Sequence, residues 1–339
     1  MLNLLDNPTF DGERNILNAD IFVSNLKNTL EAFTFNPQVT YKVYRNITVY
    51  QIVWHDDKTY DDILALKKEI SLSLGMRIEE FTIKKLGDNK VEISVPNMKR
   101  EPLTLKEVLL EYKRDNTFKI ALGINMEDNI VYFDFDKEKA LLVTGVTGIG
   151  KTNFFHNIIM NILINRLQAK IIILDSQGIN YNMYNTICEV VNKEEAIIKR
   201  IKLLRKEFTN RIRKGLKERT IVLIDEVYEI LNIDNSVKDD LNYLLEIGNM
   251  ANIHLIVSTD SMLEDNIYDL FKKDNIAKMS FYLTSRGEYN LFLDRVVNKT
   301  LNNDGLYLDQ NKRLTRITVP LIKDWEIKKV VDYVEEKTK

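Results

Sequence analysis

Residues 139 to 152 read KALLVTGVTGIGKT, and the fold turns on this stretch. Ala140 to Thr144 is a short apolar run of strand character. Gly145 to Thr152 matches Gly-x-x-x-x-Gly-Lys-Ser/Thr at every defined position. The continuation, NFFHNIIMNIL, reads as a helix. Strand, glycine loop and helix in that order make a phosphate cradle. Glycines at 145, 148 and 150 let the backbone wrap an anion and aim N–H groups at it. The helix start adds the positive end of a dipole. The cradle comprises Gly145, Val146, Thr147, Gly148, Ile149, Gly150, Lys151 and Thr152. Lys151 brings a point charge to the β- and γ-phosphates, and Thr152 brings a hydroxyl to Mg2+. The expected cofactors are ATP and Mg2+.

Downstream, residues 220 to 226 read TIVLIDE. An apolar strand ending in two carboxylates, after such a loop, is a Walker B pattern. Asp225 suits the magnesium shell, and Glu226 suits polarisation of the attacking water. The plainer reading of such a strand end is a carboxylate that caps a helix. Asp175, at the end of IIILD, reads equally as a group that tunes the nucleotide site or as a cap on the next turn. The run HLIVST ends at Thr259-Asp260. RecA-like ATPases often end the strand beside Walker B in a polar sensor of the γ-phosphate or lytic water, which suits Thr259. Asp260 is the awkward member, since a carboxylate repels the γ-phosphate unless a metal or cation screens it. Helix capping is the alternative for this pair.

KALLVTG, AKIIILD, TIVLID and HLIVST are β-branched runs with little alternation, as strands buried on both faces of a parallel sheet read. Helical patterns separate them. The fold class is therefore α/β: a RecA-like P-loop ATPase domain with a mostly parallel sheet over residues 116–339, preceded by a small α+β domain over residues 1–115. The polar stretch from Lys113 to Thr117 marks the boundary. In the smaller domain, NADIFVSNLKNTLEAF predicts a helix with Ile21, Leu26, Leu30 and Phe33 on one face, capped by Asn18 or Asp20. YDDILALKKEISLSLG predicts a helix that buries Ile63, Leu66, Ile70 and Leu74 and stops at Gly75. EEFTIKKL and KVEISVPN predict strands joined at Gly87-Asp88-Asn89. LTLKEVLLEY predicts a short helix.

A length of 339 residues suits two domains. The net charge of −2 offers no global attraction to nucleic acid, so any such surface is a local patch. The single cysteine, Cys188, excludes an intrachain disulfide framework. The histidines, His55, His156 and His254, lack metal-ligand spacing. No apolar run approaches the ~18–20 residues that span a bilayer. Asp6 and Pro8 interrupt the start too early for a signal peptide. The expectation is a cytoplasmic protein with no direct membrane insertion. A basic patch lies at Lys193 to Arg219, which holds eleven Lys/Arg and four Asp/Glu. Ile197, Ile201, Leu204 and Phe208 give it an apolar helical face, so it is an amphipathic basic helix running into a basic loop. It reads either as a solvated face or as contact with nucleic-acid phosphates, through Arg211, Arg213, Lys214 and Lys217. Without interleaved aromatics it would track a backbone and not stack on bases.

These motifs in this order resemble the motor domain of the FtsK/SpoIIIE DNA translocases, from about Leu26 to the C-terminus. IALGINMEDNIVYFDFDKEKALLVTGVTGIGKT is similar to that family's leucine-glycine strand, linker and P-loop. IVLIDEVYEIL is similar to its Walker B strand and following helix, and GNMANIHLIVSTDS to its segment ending Ala-Thr-Gln. FYLTSRGEYNLFLD resembles its Ser-Ser-Lys segment, and DGLYLD a late strand. VEISVPNMKREPLTLKEVL extends the similarity into the smaller domain.

The resemblance implies a ring, a homo-hexamer, that threads double-stranded DNA. It places ATP between subunits, with a basic residue from the neighbour completing each catalytic site beside Glu226, Lys151 and Thr259. Arg286, which matches the lysine of Ser-Ser-Lys, is the first candidate for that residue, and Lys278 is the second. Pore loops are expected at Arg211 to Glu218 and near Asn232 to Ser236. Asp260 departs from the family's glutamine. The expected form is a minimal motor without membrane helices or the winged-helix domain that reads orienting DNA sequences. A recruiting or loading protein would then supply location and direction. Two other functions remain open: a motor of the same core that drives protein secretion, and a nucleotide-dependent scaffold with little turnover.

Overall fold

A computed structural model describes residues 1–7, 13–98, 101–113, 115–273, 275–294 and 304–338. Lys99 and Arg100 of the VEISVPNMKREP stretch, and Arg114 of the expected boundary, lie outside the described residues. The chain divides into two compact units. One is Thr9–Pro102 with Met126–Asn129, and the other is Met1–Pro8, Leu103–Asn125 and Ile130–Lys339. The division falls at Pro102/Leu103, before the 115/116 boundary read from polarity.

In the smaller unit α1 (Glu13–Ala32), β1 (Pro37–Val43), β2 (Ile47–Trp54), α2 (Tyr60–Ala65), α3 (Lys67–Leu74), β3 (Thr82–Gly87) and β4 (Lys90–Pro96) follow in order. Its described strands form an antiparallel sheet ordered β1-β2-β4-β3. Helix α1 is already under way before Asn18 and Asp20, so neither caps it. Its buried stripe is Ala19, Phe22, Leu26 and Leu30, while Ile21 and Phe33 are exposed. The sequence contains two apolar stripes, and only packing against Tyr50, Ile52 and Trp54 selects one of them. Ile63, Leu66, Ile70 and Leu74 are buried as their spacing predicts. They sit on two helices because a capping box of Thr59 and Asp62 launches α2, and α3 restarts after Leu66. Gly75 ends α3 in the left-handed conformation.

The larger unit continues with α4 (Leu105–Leu110), β5 (Lys119–Asn125), β6 (Ile130–Asp134), β7 (Leu141–Thr144), α5 (Lys151–Ile164), β8 (Lys170–Asp175), β9 (Glu189–Val191), α6 (Glu194–Lys214) and β10 (Thr220–Asp225). Then come α7 (Val227–Ile233), α8 (Lys238–Ile247), β11 (Ile253–Thr259), α9 (Asp265–Phe271), β12 (Ala277–Ser280), α10 (Arg286–Leu293), β13 (Asp304–Leu308), β14 (Leu314–Thr318) and α11 (Asp324–Thr338). Helix α4 belongs here because Leu105 and Leu109 bury in this unit's core. Its described strands run β6-β5-β14-β13-β12-β7-β11-β10-β8-β9. Neighbours from β12 to β9 are parallel, and those from β12 to β6 are antiparallel. Alternate residues of each central strand enter different cores. Leu141, Val143, Ile171, Ile173 and Leu223 meet α5 and α11 on one face. Leu142, Ile172, Leu174, Val222 and Ile224 meet α6, α7 and α8 on the other. That double burial is why the strands read as unbroken apolar runs. Each fully buried Ile or Leu contributes roughly 1.5–3 kcal/mol of transfer free energy.

Candidate functional site

The motif residues gather at the C-terminal ends of the parallel strands, where open α/β sheets bind ligands. Between β7 and α5 the chain turns at Gly150, whose φ of 113° a side chain resists. At Gly145 a Cβ would stand 2.8 Å from Phe281 Cβ and 2.9 Å from Ile149 Cγ2, so the loop needs glycine to pass there. A Cβ built on Gly148 or Gly150 meets nothing within 4 Å, so that side of the loop opens onto space. Two of the predicted cradle amides are used internally. Val146 N–H donates to Tyr282 O at 3.1 Å, and Ile149 N–H donates to Val146 O at 3.3 Å. They shape the loop instead of facing an anion. Lys151 is buried, donates to Gly145 O at 2.7 Å and lies 3.6 Å from Glu226 Oε2.

Strand β10 is buried along its whole length and delivers Asp225 and Glu226 between β8 and β11. Both Asp225 oxygens accept hydrogen bonds, Oδ1 from Ser258 Oγ at 2.6 Å and Oδ2 from Tyr181 OH at 2.8 Å. Burial raises the Asp225 carboxyl above its ordinary range, against those two bonds. Glu226 adopts φ 58°, a left-handed conformation that a non-glycine residue resists and that tertiary bonds must hold. Its N–H donates to Ser258 Oγ at 3.1 Å, and its Oε1 accepts from Asp260 N–H at 2.7 Å. Burial raises the Glu226 carboxyl too, against the opposing Lys151 charge and the Asp260 amide. A carboxylate raised in this way is a better proton acceptor near neutral pH.

Thr259 is fully buried and accepts from Ser261 N–H at 3.1 Å. Asp260 Oδ2 accepts from the Thr147 hydroxyl of the P-loop, and Oδ1 accepts from Ser261 Oγ at 2.7 Å. Burial pushes the Asp260 carboxyl up, but those bonds and the Lys151 charge outweigh it and hold the group below its ordinary value. Asp175 faces Asp225 across β8 and β10 in register. Its Oδ2 accepts from Asn180 N–H at 3.1 Å, while its buried Oδ1 has no hydrogen-bond donor. Two adjacent carboxylates, one with an orphaned oxygen, carry negative charge that a divalent cation would offset. Oxygen donors at Thr152 and Asp225 suit Mg2+, so the residues fit the expected group.

Three expectations are corrected. Lys278 is 2% exposed on β12 and donates to Phe292 O at 2.8 Å, so it faces its own core and cannot reach a neighbouring subunit. Arg211 is buried and donates to Glu218 O at 2.7 Å, Ala251 O at 3.4 Å and Thr220 Oγ1 at 2.8 Å. It pins the loop after α6 and is no phosphate contact. The basic loop is shorter than read, because α6 runs through Arg213 and Lys214 to a left-handed cap at Gly215.

Arg213, Lys214 and Lys217 are exposed. Two other cations of α6 are paired, Lys202 with Asp234 at 3.2 Å and Arg200 with Glu207 at 2.9 Å. The first of these pairs engages the second expected pore segment, Asn232 to Ser236. The basic turn precedes β10, so it sits at the N-terminal ends of the parallel strands, opposite the cradle. Arg286 is exposed on the first turn of α10, beside the Ser285–Glu288 capping box. His156 and His254 are buried and pushed down to about 4 by desolvation, and Cys188 is pushed up to about 12 by burial. None has the character of a ligand or nucleophile.

Sequence reasoning missed Ser258 and Tyr181. Ser258 was readable as the residue before Thr259 on the same strand. Tyr181 carried no signal, because it lies in an irregular turn and reaches Asp225 only through tertiary packing. Two clefts of about 360 Å³ lie elsewhere, one along α11 and one beside Cys188, and contain none of the strand-end residues. Among the described residues no helix is long and apolar enough to cross a membrane.

The comparisons agree with this fold. DNA translocase FtsK of Staphylococcus aureus is 26% identical over 354 residues, covering 92% of this chain and 44% of that protein. Its counterpart from Halalkalibacterium halodurans is 24% identical, covering 98% and 47%. The chain thus spans about half the length of these relatives. Among solved structures, the pCW3 conjugation coupling protein TcpA, a monomer form with ATPγS, matches at a TM-score of 0.56 and 14% identity. That match covers 94% of this chain and 99% of TcpA. Thermomonospora curvata EccC (ATPases 2 and 3), in complex with a signal sequence peptide, matches at 0.57 and 18%, covering 76% and 48%. Both share the P-loop ATPase fold. The FtsK/SpoIIIE family model matches residues 105–323, which include the P-loop, Asp225, Glu226 and Thr259. By its motifs, its fold and that match, the chain belongs to the FtsK/SpoIIIE family.

Proposed function

We propose that this chain is an ATP-driven motor that moves double-stranded DNA, working in the cytoplasm as a homo-hexameric ring. The observation that carries the reading is the pairing of two features on one unit. A set of Lys151, Asp225, Glu226 and Thr259 lies at the C-terminal ends of the parallel strands, and an exposed basic turn of Arg213, Lys214 and Lys217 lies at their N-terminal ends. Strand β10 and helix α6 join them.

In this reading the amides of Gly148, Gly150, Lys151 and Thr152 and the Lys151 ammonium hold the phosphates. Thr152 and Asp225 would hold Mg2+, which would supply neutralisation of the phosphate charge. Glu226, raised by burial and aimed by Asp260 N–H, takes the proton of the attacking water. Arg286 is the trans-acting cation. It stands exposed on the first turn of α10, at the position that matches the lysine of the family's Ser-Ser-Lys segment. The smaller unit corresponds to the N-terminal part of the family's motor, and a partner protein loads the ring.

The test is ATP hydrolysis with and without linear duplex DNA, at low and physiological salt. Strong, salt-sensitive stimulation supports the reading. Basal turnover that ignores DNA but responds to a secreted peptide replaces it with a protein-secretion motor. ATP binding without turnover replaces it with a scaffold.

A further inference from the structure

Asp225 is gripped by a side chain from a turn with no motif of its own. After β8 the chain folds back on Asp175. Gly178 N–H donates to Asp175 O at 3.2 Å, and Asn180 N–H donates to Asp175 Oδ2 at 3.1 Å. The next residue, Tyr181, is driven into the interior at 0% exposure. Its ring packs with His156 at 5.2 Å and Phe155 at 6.5 Å, both on the helix that follows the P-loop. That packing leaves the hydroxyl one course, and it donates to Asp225 Oδ2 at 2.8 Å. The other oxygen is held by Ser258.

We propose that Tyr181 is the positioning residue of the metal-shell carboxylate, fixing Asp225 in one orientation on behalf of the divalent cation. The proposal rests on the reading above, in which Asp225 serves Mg2+. Tyr181 and Ser258 each donate to one oxygen of Asp225, so the carboxylate is held from both sides. Hydrogen-bond partners behind a metal ligand orient it toward the cation. Asp175 therefore caps the turn and, through Tyr181, also tunes the site. A tyrosine that only fills the core would not touch the carboxylate, and its loss would not single out the metal.

The test is Tyr181→Phe, which keeps the ring and removes the hydroxyl. Mn2+ binding in the presence of ADP is measured by electron paramagnetic resonance. ADP binding in EDTA is measured with a fluorescent analogue, and the Mg2+ dependence of hydrolysis is measured alongside. Outer partners of metal ligands are worth about 10–100-fold in metal affinity. The expected result is an Mn2+ dissociation constant and a half-saturating Mg2+ each raised about tenfold, with ADP affinity in EDTA unchanged. Unaltered Mn2+ affinity overturns the proposal, as does an equal loss of both affinities, which marks a structural role. Native protein whose nucleotide binding ignores divalent cations overturns the parent reading as well. Should the variant fail to fold, 3-fluorotyrosine placed at 181 keeps the hydroxyl. Its fluorine resonance is expected to shift when Mg2+ is added to the ADP complex, and a resonance that does not move overturns the assignment.

Discussion

Replacing Glu226 by glutamine keeps the side chain's shape and removes its charge, and two consequences of opposite sign follow. Glu226 Oε2 lies 3.6 Å from Lys151 Nζ, with side chains 9% and 8% exposed. Coulomb's law at an effective dielectric of about 20 gives a gross attraction of about 5 kcal/mol at that distance. Desolvation of two buried charges cancels most of it, leaving on the order of 1–2 kcal/mol. A nucleotide must overcome that remainder to draw Lys151 onto its phosphates. Glu226→Gln is therefore expected to bind ATP about tenfold more tightly. The same change removes the general base, which is worth about 10²–10⁴ in rate. The assay is a fluorescent-ATP titration beside steady-state phosphate release, each with and without duplex DNA. Turnover within about threefold of native protein refutes Glu226 as the base. Slow turnover with weaker ATP binding refutes the claim that the Lys151–Glu226 pair opposes the nucleotide.

Alanine at Arg213, Lys214 and Lys217 together should lower the logarithmic salt slope of DNA-stimulated hydrolysis by about 2–3. Arg211→Ala should leave that slope alone. Instead it should destabilise the fold by about 2–3 kcal/mol in urea titration, because Glu218 O, Ala251 O and Thr220 Oγ1 lose their donor. Gly145→Ala should weaken ATP binding at least tenfold in the same titration. Its Cβ would collide with Phe281 and Ile149, and relief of such overpacking displaces the loop at about 1–3 kcal/mol. Glu138 is raised from 4.5 to about 7, mainly by burial. The folded state then holds the proton more tightly than the unfolded chain does. The stability it contributes is full below about pH 4.5 and is lost as pH rises through about 7. Thermal melts from pH 5 to 8 should show a decline of about 2–3 kcal/mol, and Glu138→Gln should flatten it.

The legible parts of this chain were those whose physics is local. Four apolar runs announced a doubly covered sheet, and Ile197, Ile201, Leu204 and Phe208 announced the buried face of α6. Less legible were boundaries and stripes. Helix α1 carries apolar residues on two faces, and only its sheet partner makes Ala19 and Phe22 interior while Ile21 stays out. The division between units was misplaced because polarity near Lys113 resembles a linker, whereas Leu105 and Leu109 already bury in the larger unit. Two cations read as functional, Arg211 and Lys278, proved to be held by carbonyl oxygens inside the fold. A basic residue looks the same in a sequence whether its head meets solvent or a buried acceptor.

By itself the sequence determined the phosphate-binding loop, because Gly145, Gly148, Gly150, Lys151 and Thr152 act through backbone conformation and contiguous spacing. It determined the class of sheet and the family for the same reason, since periodicity and motif order are written along the chain. Only the tertiary structure decided what surrounds that loop. Asp260 ties Thr147 to Glu226, Ser258 bridges Asp225 and Glu226, and Tyr181 reaches Asp225 across 44 positions of sequence. Such contacts arise where parallel strands bring distant ends together, and no local pattern records which ends will meet.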